Sequence, residues 1–281
     1  MRTLVHLSDL HFGRVDPALL APLRECIARI SPHLLVVSGD LTQRARAGQF
    51  EQAREFLDTL PQPQLVVPGN HDVPLYNVVK RFLNPLGNYR RHITGDLAPF
   101  FADDEIAVAG VNTARSLTFK DGRINREQLA LLQERFRALD DWVTRIVVTH
   151  HPFDLPAGKD NDDLVWRAGL AMKAFAACGA DLLLSGHMHQ SHTGSTAARY
   201  PIEGYAALAI QAGTATSTRG RGEENSFNAI HVGGDEVRVD AWGWRAGAGR
   251  FSVLSRTAYE RHERSWREKA VEEFTEDTHA A

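Results

Sequence analysis

The sequence predicts an α/β protein with largely parallel strand pairing. Through the first 185 residues, short apolar runs alternate with longer segments of helical period, the pattern of parallel strands connected by covering helices. Beyond His189 the texture changes to strand-like runs separated by Gly-rich turns, with no helix between them. That second half reads as antiparallel strands that complete or cover the first.

Each element follows from its local pattern. TLVHLS (3–8) is a short apolar run and reads as a strand; Pro17 to Ile30 follows as a helix. HLLVVSG (33–39) and QLVVPG (64–69) are Leu/Val runs closed by glycine, too short for helices and typical of buried strands. The helices after them run from Arg46 to Leu60 and, shorter, from Val73 to Asn84. EIAVAGV (105–111) is a strand, and in the helix from Asn125 to Leu139 the apolar residues Leu129, Leu132, Phe136 and Leu139 fall on one face. RIVVTH (145–150), a helix from Leu164 to Cys178, and DLLLSG (181–186) complete the alternation. Residues 199–216, 226–232 and 235–244 read as strands, and RFSVLSRTAY (250–259) as another. No Pro/Ser-rich linker divides the chain, so residues 1–260 read as one catalytic domain. The mixed-charge stretch 261–281 reads as a helix or a frayed tail.

With 43% hydrophobic and 24% charged residues over 281 positions, the chain can bury a full core without a metal or disulfide staple. A metal site in it is therefore expected to serve chemistry. Cys26 and Cys178 each sit in a helical apolar pattern and read as buried thiols. The net charge of −3 argues against a dedicated nucleic-acid binder. His6 and Asp9 interrupt the opening apolar run, and no run reaches membrane-spanning length; a cytoplasmic protein is expected.

The informative residues are the polar ones that close the strands. SDLHFG brings Asp9 and His11, SGDLTQ brings Asp40, and PGNHD brings Asn70 and His71. His150 and His151 follow RIVVT, and GHMH brings His187 and His189. A turn explains the Pro, Gly and Asn of PGNHD, but not its histidine. The carboxyl ends of parallel strands share one edge, where ligand crevices form, so residues distant in sequence converge there. Asp9 with His11, and His187 with His189, are two apart and point to the same side in extended chain. Glycines at 13, 39, 69 and 186 permit the sharp turns and close approach that convergence needs. Carboxylate, amide oxygen and imidazole without thiolate suit manganese, iron, zinc or cobalt. About seven ligands exceed one ion's needs; two ions roughly 3.5–4 Å apart, sharing a carboxylate, fit better.

The set D-x-H (Asp9, His11), G-D (Gly39, Asp40), G-N-H-D (Gly69 to Asp72), His150 and G-H-x-H (Gly186 to His189) resembles the calcineurin-like metallophosphoesterases. Over residues 1–245, with the GDLTQ and HHP forms, it is most similar to their bacterial class III cyclic-nucleotide phosphodiesterase branch. The resemblance implies a four-layer α/β/β/α sandwich. It implies two metal ions, one held by Asp9, His11 and His189, the other by Asn70, His150 and His187, with Asp40 bridging them. It implies His71 as a catalytic group at the phosphate and leaving group, and a metal-bridging hydroxide as the nucleophile. Where some relatives carry an acid three residues after the bridging aspartate, this chain has Gln43.

Asn70, His71 and His192, the last three residues beyond His189, are the candidate substrate contacts. His151, next to His150, is expected to point away. Phe12 and Arg14 are candidates for the pocket rim. Asn112 and Arg115 either reach the crevice or build a turn. Trp242 and Trp244 are expected in the core, and TRGRG (218–222) in an exposed loop. The expected activity is hydrolysis of a small phosphodiester, with 3′,5′-cyclic AMP the leading substrate. Glycerophosphodiesters, 2′,3′-cyclic nucleotides and nucleotide-sugar lipids are the alternatives, and a non-catalytic metal-binding scaffold is the reading from another class. The segment from Phe251 onward either forms a homodimer or caps its own sheet.

Overall fold

The computed structural model describes residues 1–116, 121–156, 161–218 and 223–274. Among them, thirteen strands form two mixed sheets. The first sheet contains β1 (Arg2–Leu7), β2 (Leu34–Val37) and β3 (Gln64–Val66), mutually parallel, and β10 (Ser226–Gly233), β11 (Glu236–Arg245), β12 (Arg250–His262) and β13 (Ser265–Glu273), antiparallel, in the order β13-β12-β11-β10-β1-β2-β3. The second contains β4 (Phe100–Ala102), β5 (Ile106–Gly110), β6 (Thr144–Val148), β7 (Leu182–Ser185), β8 (His192–Ser195) and β9 (Leu208–Gln211), in the order β4-β5-β6-β7-β9-β8. Its four central strands are parallel and its two edge strands antiparallel.

Side-chain alternation along these strands sorts the apolar residues into three cores. Leu4, Val36 and Leu65 of the first sheet meet Val108, Ile146 and Leu184 of the second in a core between the sheets. Val5, Leu7, Leu35 and Val37 face the other way, against α1 (Pro17–Ile30) and α2 (Ala47–Asp58). Ala107, Val147 and Leu183 pack outward on α5 (Arg126–Arg137) and α6 (Ala168–Cys178). The result is the four-layer α/β/β/α sandwich. Local signals set the helix ends. Asp16 caps α1 through Ala18 N–H, with Pro17 at the first position, and Asn125 caps α5 through Gln128 N–H. Both cysteines are buried. Trp242 stacks on Phe227 at 6.0 Å and packs on the core that faces α1 and α2.

Several expectations change. The 261–281 segment is neither helix nor tail over residues 265–273, which form β13 and pair with β12. Its outer residues are exposed and charged, which hides the strand pattern, but Trp266 is buried beneath the Arg261 guanidinium at 4.5 Å. Residues 275–281 lie outside the described residues. The helix expected from Val73 to Asn84 is confined to α3 (Val78–Leu83), since Pro74 delays it and Asn77 caps it through Lys80 N–H. A further short helix, α4 (Gly87–His92), buries Tyr89, whose hydroxyl donates to Val66 O at 3.0 Å. Of 199–216, only β9 is a strand. It joins the second sheet as a parallel member, while β10 to β13 extend the first.

Candidate metal centre

The first sheet delivers Asp9 and His11 beyond β1, Asp40 beyond β2, and Asn70 and His71 in a 3-10 turn beyond β3. The second delivers His150 and His151 beyond β6 and His187 and His189 beyond β7. The loops are stitched together. Asp9 N–H donates to Gly39 O and His11 N–H to Asp40 O, while Gly186 N–H donates to His150 O. His187 N–H donates to the Asp9 carboxylate at 3.0 Å and so joins the two sheets. Asp9, His11, Asp40, His187 and His189 all have positive φ, between 50° and 71°. Non-glycine residues adopt that conformation at a cost, and it clusters where function requires it. Two glycines make room: a Cβ on Gly69 would lie 2.1 Å from Asp40 Oδ1, and one on Gly186 1.7 Å from Ser8 Oγ.

Two triangles of donor atoms result. His11 Nε2 and His189 Nε2 face each other at 3.3 Å, and Asp9 Oδ1 lies 3.4 Å and 3.3 Å from them. Asp9 Oδ1 and the Nδ1 atoms of His11 and His189 are buried without hydrogen-bond partners. Asn70 Oδ1, His150 Nε2 and His187 Nδ1 form the second triangle, with sides of 3.0, 3.1 and 3.3 Å. Asp40 faces both: its Oδ2 is 3.7 Å from His11 Nε2 and its Oδ1 3.4 Å from His150 Nε2. Buried polar atoms left in this state are costly. The centre of a triangle of this size is about 2 Å from each vertex, close to a metal–ligand bond length. The donor set therefore fits two cations with Asp40 between them.

Electrostatics agree. Burial opposes ionisation of Asp9, yet the His11 and His189 rings facing it hold its carboxyl well below the usual range. Burial likewise opposes ionisation of Asp40, but the charges of His150 and His71 outweigh it and lower its value. Desolvation works against charge on His150, but the Asp40 carboxylate more than compensates and raises it to about 9. Without an ion, a proton on His150 answers Asp40; a bound cation displaces it. His187, buried and repelled by His150, falls to about 3 and so offers a neutral imidazole, the form that binds metal.

His71 stands beside this cluster, its ring 5.0 Å from His11 and edge-on. Its backbone N–H donates to Asp40 Oδ1 at 2.8 Å, and its Nδ1 lies 3.0 Å from the Gln43 carbonyl. Asp72, whose role the sequence leaves open, holds the loops in place. Its carboxylate accepts from the N–H groups of Leu41, Thr42 and Gly69 and from Thr42 Oγ1. Burial and nearby Asp40 raise its pKa to about 6.

Other expectations divide. His151 does not point away: it packs 4.8 Å from the His187 ring, contacts Thr113 Oγ1 at 2.8 Å, and offers a ligand atom beside those of His150 and His187. His192 opens β8 opposite Gln211 and is half-buried, and burial lowers its pKa. Phe12 is a core residue rather than a rim residue. Asn112 and Arg115 build a turn: Asn112 Oδ1 accepts from Ala114 N–H, and the Arg115 guanidinium donates to the carbonyls of Asn112 and Ala114. Of TRGRG, residues 219–222 lie outside the described residues.

Residues 2–191 match the family model described as calcineurin-like phosphoesterase. A "probable cyclic nucleotide phosphodiesterase" from Synechococcus is 26% identical over 207 residues, covering 67% of this chain and 74% of the relative. A glycerophosphodiester phosphodiesterase from Enterobacter lignolyticus is 32% identical over 80 residues, 25% of this chain and 29% of its own. Among solved structures, a dimetal phosphatase from Danio rerio superposes with TM-score 0.64 at 13% identity, over 90% of this chain and 98% of that one. A purple acid phosphatase from yellow lupin gives 0.63 at 11% identity, over 90% and 52%. At these identities the two structures speak for the fold.

Proposed function

Because the chain belongs to the calcineurin-like phosphoesterase family, a family of two-metal enzymes, we propose that it hydrolyses a small phosphodiester, with 3′,5′-cyclic AMP as the leading substrate. The observation that carries the reading is the pair of buried donor triangles joined by Asp40. The similarity to a probable cyclic nucleotide phosphodiesterase supports the substrate class. In this reading Asp9, His11 and His189 hold one ion, Asn70, His150 and His187 the other, and Asp40 both. Such ions supply Lewis acidity and an activated water near neutral pH.

The protein's own groups do the rest. His150, with Nδ1 2.8 Å from Ser38 O, donates there and turns its Nε2 to the cluster; such a bond fixes the tautomer of a ligand histidine. His71 is held the same way, its Nδ1–H on the Gln43 carbonyl. A proton passed to the leaving oxygen then comes from Nε2, which requires the imidazolium form. The main-chain carbonyl of Gln43 thus orients His71, although the side chain there is not the acid that some relatives carry. Asn70 and His71 contact the phosphate; His192, outside the two triangles, is proposed as a more distant substrate contact.

The deciding experiment incubates manganese-loaded protein with 3′,5′-cyclic AMP, with Asp40→Ala as the blank. AMP from the wild type alone supports the cyclic-nucleotide reading. If no AMP forms while an activated aryl phosphodiester is cleaved, the substrate is another diester. The 80-residue similarity to a glycerophosphodiesterase makes glycerophosphodiesters the next to assay. Protein that takes up metal yet cleaves neither would be the non-catalytic metal-binding scaffold.

A further inference from the structure

Directly after the Asn70–Asp72 turn, the chain exposes an apolar patch that no element among the described residues covers. Tyr76, Val78, Val79, Phe82 and Leu83 are between 53% and 82% exposed. They are five of the twelve large apolar side chains exposed among the described residues, and all lie within eight positions. A concentration of this kind marks an interaction surface. It borders the metal centre: Arg44 sits over the Tyr76 ring at 5.4 Å, and Arg44 follows Gln43, whose carbonyl holds His71. The patch is firmly mounted, because the buried Arg81 donates to Ser116 O at 2.7 Å and Pro74 O at 2.9 Å.

Charge indicates what covers it. From residue 73 to 95 there is no Asp or Glu, while Lys80, Arg81, Arg90 and Arg91 are present, in a chain whose net charge is −3. Lys80, Arg90 and Arg91 are exposed, and none is in an ion pair among the described residues. Exposed apolar side chains in a segment with unpaired exposed cations and no carboxylate are the composition of an element that lies in the surface of an anionic bilayer. A second copy of this chain fits less well. Two-fold packing through this face would bring the same cations together, with no carboxylate in the segment to answer them.

We propose that residues 76–83 form a docking face for an anionic lipid surface, which places the mouth of the metal centre against the membrane. The face lies outside the catalytic machinery, and the proposal stands apart from the choice of diester. The test sediments the full-length, metal-loaded protein with vesicles of phosphatidylcholine alone and of equimolar phosphatidylcholine and phosphatidylglycerol. Expected is sedimentation with the anionic vesicles only, reversed by high salt. The Phe82→Asp/Leu83→Asp double variant should lose it, and Lys80→Ala should weaken partitioning about fivefold. Hydrolysis of a soluble aryl phosphodiester, measured on the same samples, should be unchanged in both variants; this separates failure of docking from failure of the catalytic reading. Equal sedimentation with neutral vesicles, or none with either, overturns the proposal. So does a wild-type dimer in light scattering that the double variant splits into monomers, since the face then belongs to a second copy.

Discussion

The two ends of the parallel strands use the same polar residue types to opposite effect. At the amino ends the half-buried charges find partners within the fold. Arg145 donates to the carbonyls of Phe136, Leu139 and Asp140 at the end of α5. Asp181 accepts from Arg145 N–H and pairs with Arg261, and Asp103 accepts from Glu105 N–H, Ile106 N–H and Arg2. At the carboxyl ends five polar residues sit in the left-handed region, and Asp9 Oδ1 and the Nδ1 atoms of His11 and His189 are buried without hydrogen-bond partners. The first edge is finished by the protein itself; the second is finished by something it binds. The contrast separates polar residues that stabilise a fold from those that wait for a ligand.

Mutations at the two edges should therefore be read by different measurements. The largest effect is expected for Asp40→Ala, which removes the group between the triangles. Turnover should fall by at least about 10⁴-fold, several kcal/mol of lost charge stabilisation, together with bound metal. Metal analysis that finds both ions retained would sink the bridging role. His71→Ala comes next, with a loss of roughly 10²–10⁴-fold and metal content unchanged; loss of an ion would make His71 a ligand. At the opposite edge, Asp181→Ala should cost about 1–2 kcal/mol in urea unfolding, because it orphans Arg145 N–H and leaves Arg261 with Asp235 alone. Its metal-loaded activity should stay at wild type, and a large fall in turnover would break the division between edges. The smallest expected effect lies midway, at His6, buried between the sheets with its Nε2 2.9 Å from Ser38 Oγ.

Burial lowers the His6 pKa to about 3. The native imidazole stays neutral while the unfolded one takes a proton below its ordinary value. Stability is therefore flat above pH 6.5 and falls as pH drops towards 3. Between pH 6.5 and 5 the loss from this residue is about 2 kcal/mol. His6→Leu should remove that part of the slope in unfolding curves recorded across this range. An unchanged slope would show that His6 is protonated in the folded protein.

The strand–helix alternation made the two parallel cores legible, because Leu/Val runs such as LLVV and IAVAG carry their own burial. The seven positions whose donor atoms converge were legible for a related reason: a polar residue closing a buried run is conspicuous. What escaped depends on contacts made across the fold. β13 is a strand because β12 lies beside it, and nothing in SWREKAVEE announces that neighbour. Asp72 looks like one more turn residue until Leu41 and Thr42 come within reach from a loop some thirty positions away. The nearness of His151 to His187 comes from two loops of the second sheet. Local pattern names the residues, but only tertiary placement tells neighbours from bystanders.

The joining of the two sheets at the donor triangles has a consequence for assembly. His11 and His189 are 178 positions apart, and Asn70 and His187 are 117 apart. Neither of the two triangles lies within one sheet, so a chain with only one sheet in place offers an ion fragments of the two-ion site. An ion caught between them closes two very long loops, and the entropy lost in closing a loop rises only with the logarithm of its length. Tight uptake of metal thus reports that the two halves of the sandwich have met. Chelation should register as faster amide exchange in the core between the sheets, well away from the loops that touch the ion.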